Sequence, residues 1–210
     1  INKIYVDVGG SWSDTNDAIG VRFYNSSKLL VKNSTFYSRG SNAYAFYIVN
    51  SGNVTIRDNY LWASYGNWIL ALNSEESSNI LFSNNTIESI TYCGTYGVVR
   101  LRNSINVTLT YNNFSTNRAM PIFIDGSSIE HFNHTIDETN YNDGLPIKYF
   151  FNKNNFVIQN VNYTPTYGFV FFGWSQNLTL QNVSFGGDGF ALYDTHNSSF
   201  SNITVIQPDN

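Results

Sequence analysis

The chain has 210 residues and 23.8 kDa, with a formal net charge of −4, a pI near 5.2, 42% hydrophobic and 17% aromatic residues and only 12% charged ones. That is one ordinary domain's length with enough apolar material for a core, which excludes a chain disordered through low hydrophobicity and high charge. Its 11 Lys and Arg are scattered among 15 Asp and Glu, so no basic stripe exists for a nucleic-acid backbone or an anionic membrane. Lys and Glu are scarce beside Asn, Ser, Thr, Gly and Tyr, which argues against helices.

The first element is NKIYVDV at residues 2–8, which alternates as a strand does and predicts a first coil, a cap or a strand donated to a neighbour. Residues 1–16 are therefore read as an N-terminal cap or donated strand. From there the chain is a repeat. Seven octets align without gaps: LLVKNSTF from Leu29, VTIRDNYL from Val54, ILFSNNTI from Ile80, VTLTYNNF from Val107, FVIQNVNY from Phe156, LTLQNVSF from Leu178 and SSFSNITV from Ser198. Their starts are 25, 26, 27, 49, 22 and 20 residues apart.

Positions 1 and 3 of the octet are apolar in nearly every copy and position 4 is polar, the period of two of a half-buried strand. Position 5 is Asn in five of seven copies, at a point where the chain must turn, and Asn tolerates left-handed backbone. Position 8 is apolar again, predicting a second short strand after the bend. A further apolar segment precedes most octets, such as AYAFYIVN from Ala43 and GFVFFG from Gly168. Three short strands per repeat of ~20 to 27 residues, without helix, predict one coil of a parallel β-helix. Seven to eight coils at a spacing of ~4.8 Å would make a rod about 35 to 40 Å long. The position-5 amides are expected to bond to one another along the stack, hidden within it. The expected layout is coils over residues 17–114, an irregular coil and insertion over 115–155, and coils again over 156–205.

The long gap between the fourth and fifth octets holds TIDETNYNDGLPIKYF, residues 135–150. This phrase and the flanking NSxNVT-type repeats resemble NosD-like periplasmic copper-binding β-helix repeat proteins, a kind frequent in archaeal surface proteins. The resemblance implies an all-β, right-handed parallel β-helix, exported, and often one segment of a larger surface protein. It also implies two further possibilities, a carbohydrate-related module and a copper-accessory role. Copper needs soft or imidazole ligands, and the three histidines, His131, His134 and His196, have no Met or Cys cluster beside them. No metal and no cofactor is expected. Cys93 stands alone, so no internal disulfide forms, and it reads as a small buried residue. The chain opens at Ile1 without a leader, and its last octet runs almost to the end, so we expect a segment of a larger or self-assembling protein.

The clearest chemical signal is twelve N-x-S/T sequons, which in an exported chain mark glycan acceptors. Asn25, Asn53, Asn106, Asn113, Asn133, Asn162, Asn177 and Asn197 lie at turns, loops or position 7 and are the favoured acceptors. Asn33, Asn84, Asn182 and Asn202 occupy position 5, where the expected ladder would hide the amide. For catalysis, Asp125, Asp188 and Asp194 are the acidic candidates, but no motif unites them and the first two sit beside Gly as turn residues do, so no catalytic set is assigned. Trp62 and Trp68, near Tyr65 and with Tyr92 and Tyr96 a coil later, form a candidate sugar-stacking strip. Trp62 follows the inward Leu61 and so is expected to point outward. The leading reading is an extracellular, glycosylated structural or adhesive surface module, with end-to-end assembly into a filament or surface layer as a further expectation. Its expected partners are copies of itself or neighbouring domains, then carbohydrate, with no nucleic acid and no membrane span. The scarcity of titratable groups predicts little change of stability at acid pH.

Overall fold

The fifth octet position sets where the chain turns. A computed structural model describes residues 5–9, 17–39, 42–64, 68–90, 97–116 and 120–206. In it all seven position-5 residues, Tyr111 and Asp58 included, have left-handed backbone with φ between 51° and 59°. They belong to a wider pattern. Seven coils repeat three left-handed residues at spacings of three and then five, from Asn25, Lys28 and Asn33 in the first to Asp194, Asn197 and Asn202 in the last, and only the coil of β14 to β16 lacks the triplet among the described residues. Together with Asp143 these columns account for every non-glycine residue of positive φ among those described. Asn dominates them because its short amide bonds locally and lowers the strain of that conformation.

Between these corners the chain is strand. β1 (Tyr5–Gly9) precedes five coils of three strands each. The first is β2 (Asp17–Tyr24), β3 (Ser27–Lys32) and β4 (Thr35–Arg39); the second β5 (Asn42–Val49), β6 (Gly52–Arg57) and β7 (Tyr60–Ser64); the third β8 (Trp68–Glu75), β9 (Ser78–Ser83) and β10 (Thr86–Ile90). The fourth is β11 (Val99–Arg102), β12 (Ile105–Thr110) and β13 (Asn113–Thr116). The fifth is β14 (Ile122–Asp125), β15 (Thr135–Ile136) and β16 (Tyr141–Asn142), with a 3-10 turn at Ile129–His131. Like strands pair in parallel, coil upon coil, into three sheets. β1 pairs with β4 of its own chain, extending the third sheet by one strand.

The interior is a stack of Val, Ile, Leu and Phe contributed by alternate residues, such as Val31, Ile56, Phe82 and Leu109 in one column. Beside it runs a buried amide ladder at octet position 6. Asn59 Nδ2 donates to Asn85 Oδ1 at 3.0 Å, Asn85 to Asn112 at 3.0 Å, and Asn112 to Asn140 at 2.9 Å. Each amide also caps a backbone carbonyl of the coil before, as Asn112 does for Phe82 at 2.8 Å. The ladder expected inside at position 5 does form, with Asn84 donating to Asp58 at 2.8 Å, but on the surface. The bend between the two strands of each octet explains the exchange. It turns position 6 inward, where backbone groups of the corner need partners, and leaves position 5 outside.

At Asp143–Gly144 the chain reverses. Their φ angles of 48° and 82° make a two-residue type I′ hairpin that joins β16 to β17 (Leu145–Phe151) in antiparallel pairing. β18 (Val157–Asn162), β19 (Phe169–Gln176), β20 (Thr179–Phe185), β21 (Phe190–His196) and β22 (Ser199–Val205) follow. β17, β19 and β21 continue the sheet of β1 and β16 to nine strands, whereas β18, β20 and β22 form a fourth sheet. Alternate residues of β19 serve two cores. Phe169 and Phe171 join the first core with Ile122 and Phe132, while Val170 and Phe172 join Ile158, Leu180, Val183 and Phe185 in a second.

Strand direction is thus inverted and the core moves to the opposite face of the sheet. These two inversions cancel, so both stacks wind with the same hand. The expected β-helix holds, but its coils are divided: the five coils from β2 to β16, with β1, form the first stack, and the last three octets form the second. Position 6 marks the difference. It is Ser34, Asn59, Asn85 and Asn112 in the first stack and Val161, Val183 and Ile203 in the second, where the octet of β20 and β22 runs on as one strand instead of breaking at a corner.

Candidate functional site

Outward-facing residues of a coil stack form columns, and two such columns carry chemistry. On the nine-stranded sheet Tyr37, Trp62 and Glu88 are in register on β4, β7 and β10, beside Tyr60. Trp62 faces outward and is partly exposed, as alternation from the buried Leu61 requires. Its ring centroid lies 5.8 Å from that of Tyr37, and Tyr37 meets Tyr60 edge-on at 5.9 Å. The Tyr60 hydroxyl donates to Glu88 Oε2 at 2.8 Å; burial first and then this bond push its pKa up to about 12. The result is an aromatic platform with a carboxylate at its edge. Trp68 opens β8, but its side chain lies outside the described residues, as do Tyr65, Tyr92, Tyr96 and Cys93.

The second column runs along β2, β5, β8, β11 and β14 and was not found from the sequence. Arg22, Tyr47, Asn73, Arg100 and Phe123 are successive register partners. Arg22 lies over the Tyr47 ring at 5.0 Å. Arg100, buried at 7% exposure, pairs with Glu75 at 3.9 Å and with Asp125 at 3.7 Å, and Tyr47 donates to Glu75 at 3.2 Å. Asp125, a catalytic candidate in the sequence, is therefore held by arginine, Arg102 lying 3.9 Å from it as well. The one available signal was the charge of VVRLRN against an otherwise neutral repeat.

The other candidates stand apart. Asp188 accepts hydrogen bonds from Thr116 and Asn142, both at 2.7 Å, where the two stacks meet. Asp194 bonds His196 at 2.8 Å near the far end. The structure does not gather the three aspartates into one site. His131 and His134 share the turn before β15, yet each is engaged through Nδ1. That of His131 accepts from the Ser127 amide at 3.1 Å, and that of His134 from the Val107 amide at 3.3 Å. Among the described residues no group of three His, Cys, Asp or Glu gathers as a metal site would need.

All twelve sequon asparagines are exposed. The premise that set Asn33, Asn84, Asn182 and Asn202 apart is corrected: position 5 is a surface position, and the hidden amides are those of position 6, none of them in a sequon. Three of these four side chains are nonetheless engaged, Asn84 Nδ2 with Asp58 at 2.8 Å, Asn182 Nδ2 with Asn160 at 2.9 Å and Asn202 Nδ2 with Asn182 at 2.8 Å. Among the favoured set Asn177 is engaged likewise, with Asn155 at 3.0 Å.

A coil stack of parallel strands with cornering asparagines defines a class of protein, the β-solenoids. Residues 13–185 match the family model described as a right-handed beta helix region, and the chain belongs to that family. Neither a curated protein nor a solved structure matches the chain. Among the described residues no helix is long and apolar enough to cross a membrane.

Proposed function

We propose that this chain is an exported structural module of a cell surface, a rigid stack that carries N-linked glycans along its length. The observation that carries the reading is that every sequon asparagine stands on the surface of a stack whose coils are joined inside by neutral amide ladders. Neutral glycans would supply the hydration that so few Lys and Glu provide. The NosD-like copper role is not carried forward, since both histidines it would use already accept backbone hydrogen bonds. Intact-mass measurement and site mapping on protein from its source test the reading. The expected result is a subunit several glycans heavier than 23.8 kDa, with modified sequons on the exposed corners. A subunit at the bare sequence mass overturns it.

A second reading is favoured by the Tyr37, Tyr60 and Trp62 cluster, whose aromatic surface and adjacent Glu88 suit a pyranose ring and its hydroxyls. Under it the module binds oligosaccharide on the nine-stranded sheet. Titration with neutral and uronic oligosaccharides checks this, with binding expected to vanish in Trp62→Ala; absence of heat with every sugar sinks it.

A further inference from the structure

Two exposed tyrosines flank a single sequon in the fourth and fifth coils. Tyr111 is 65% and Tyr141 42% exposed, and among the described residues neither ring packs on another and neither hydroxyl is hydrogen-bonded. The register places Tyr141 beside Asn113. Tyr60, Thr86, Asn113 and Tyr141 are successive partners on β7, β10, β13 and β16, and they face outward because the residues that follow them, Leu61, Ile87, Phe114 and Asn142, are buried. Neighbouring strands stand ~4.8 Å apart, so a group attached to the Asn113 amide lies alongside Tyr141.

Tyr111 lies two residues before Asn113, at the corner that opens β13. Octet position 5 is Asn or Asp in the other six copies, whose short side chains ease left-handed backbone, yet here a tyrosine is held at φ 57°. It also breaks the surface ladder, since a phenol has no amide to offer Asn84, which itself donates to Asp58. Trp174 is a second bulky left-handed residue, but its ring packs on Phe132, which gives its strain a reason within the protein. The Tyr111 ring has no such partner among the described residues. Strain kept at an exposed ring points to something that uses the ring.

Asn113 is free to carry a substituent. Its side chain makes no hydrogen bond among the described residues, whereas the amides of Asn84, Asn106, Asn177, Asn182 and Asn202 are all engaged. Ser115, the hydroxyl residue of its sequon, is exposed on the same side of β13.

We infer that Asn113 carries a glycan whose first pyranose packs its C–H face against Tyr141 and Tyr111. The sugar then covers apolar ring surface that the protein leaves to water, and the contact offsets the strain at Tyr111. This rests on the glycosylated reading above and deepens it, because it selects one acceptor among the twelve sequons and gives its glycan a structural part in the stack.

Peptide mapping and hydroxyl-radical footprinting of protein from its source test the inference. Asn113 is expected to be modified. Oxidation of Tyr111 and Tyr141 is expected to rise severalfold in Asn113→Gln, and equally in Ser115→Ala, which removes the sequon but keeps the asparagine. It is expected to stay at the source level in Asn53→Gln, whose strand, β6, holds no aromatic residue. Tyr141→Ala is expected to lower the thermal midpoint of the glycosylated protein by more than it lowers that of Asn113→Gln, a coupling that a purely structural ring would not show. A bare Asn113 beside other modified sequons overturns this inference and leaves the surface-module reading intact. A modified Asn113 with equal tyrosine oxidation in source protein and Asn113→Gln also overturns it, as does protection of Tyr60 and Trp62 in place of Tyr111 and Tyr141. A chain bare at every sequon removes the surface-module reading as well.

Discussion

The Tyr193 hydroxyl donates to the Ile122 carbonyl at 2.9 Å, joining residues 71 apart in sequence and tying the last strand of the nine-stranded sheet to the edge of β14. The Tyr149 hydroxyl does the same for Phe132 at 2.6 Å, and Trp174 packs on the Phe132 ring at 5.6 Å. β17, β19 and β21 therefore lie across the end of the first stack and bury its last layer. The second stack covers an edge that a bare solenoid would leave open.

Removing that tie without removing its bulk isolates its worth. Tyr193→Phe is expected to cost about 1 kcal/mol, the net value of a buried hydrogen bond, while Tyr193→Ala adds a cavity beside Phe123 and Phe171 and costs roughly 3 to 5 kcal/mol. Urea denaturation followed by tryptophan fluorescence checks both. Equal losses for the two variants would show that the hydroxyl, not the packing, holds the cap.

The two amide ladders are expected to differ sharply in worth. Asn112→Ala strands the Asn85 amide groups and the Phe82 carbonyl inside the stack, at about 3 kcal/mol or more. Asn84→Ala, one position before a buried Asn but itself exposed, loses a solvated bond and adds left-handed strain, about 1 to 2 kcal/mol. Thermal unfolding of the two variants side by side measures the contrast, and equal losses would sink the assignment of the structural ladder to position 6.

Acid is expected to destabilise the protein despite its few titratable groups. Burial pushes His134 down from 6.5 to about 4, because an imidazolium beside Val107 would be stripped of water. The unfolded chain then binds a proton that the folded one refuses, so stability falls as pH drops from 6.5 towards 4, by about 3 kcal/mol at 1.36 kcal/mol per unit. Asp143 and Asp188 act in the opposite sense. Burial raises both, and for Asp143 the neighbouring Asp188 charge adds to it, so their protonation favours the folded state as pH falls through the acid range. His134→Asn keeps an acceptor for the Val107 amide and is expected to flatten the loss between pH 6.5 and 4; an unchanged urea midpoint profile would remove His134 as its source.

The reversal at the hairpin depends on glycine. Gly144 has φ of 82°, and a Cβ there would meet nothing within 4 Å, so Gly144→Ala tests backbone strain alone at about 1 to 2 kcal/mol. Asp143→Gly relieves strain at its neighbour and also removes a carboxylate repelled by Asp188, so it is expected to be neutral or stabilising at pH 7. Chemical denaturation of both variants checks the opposite signs.

By itself the sequence determined the strand pattern and the place of each corner. The octet's alternation placed Val31, Ile56, Phe82 and Leu109 inside and Trp62 outside, and position 5 was legible as a left-handed corner because only that conformation explains Asn there so often. The chain's own folding on itself decided the rest. An octet looks the same whichever side of a sheet its core lies on, so the division into two stacks was carried by one Asp-Gly turn and by the change from amide to apolar at position 6, signals far smaller than the repeat around them. The row of Arg22, Tyr47, Asn73 and Arg100 was hidden for the same reason. Each residue comes from a different coil, and only the register between strands, set by hydrogen bonds across about 25 residues of chain at a time, brings them into line.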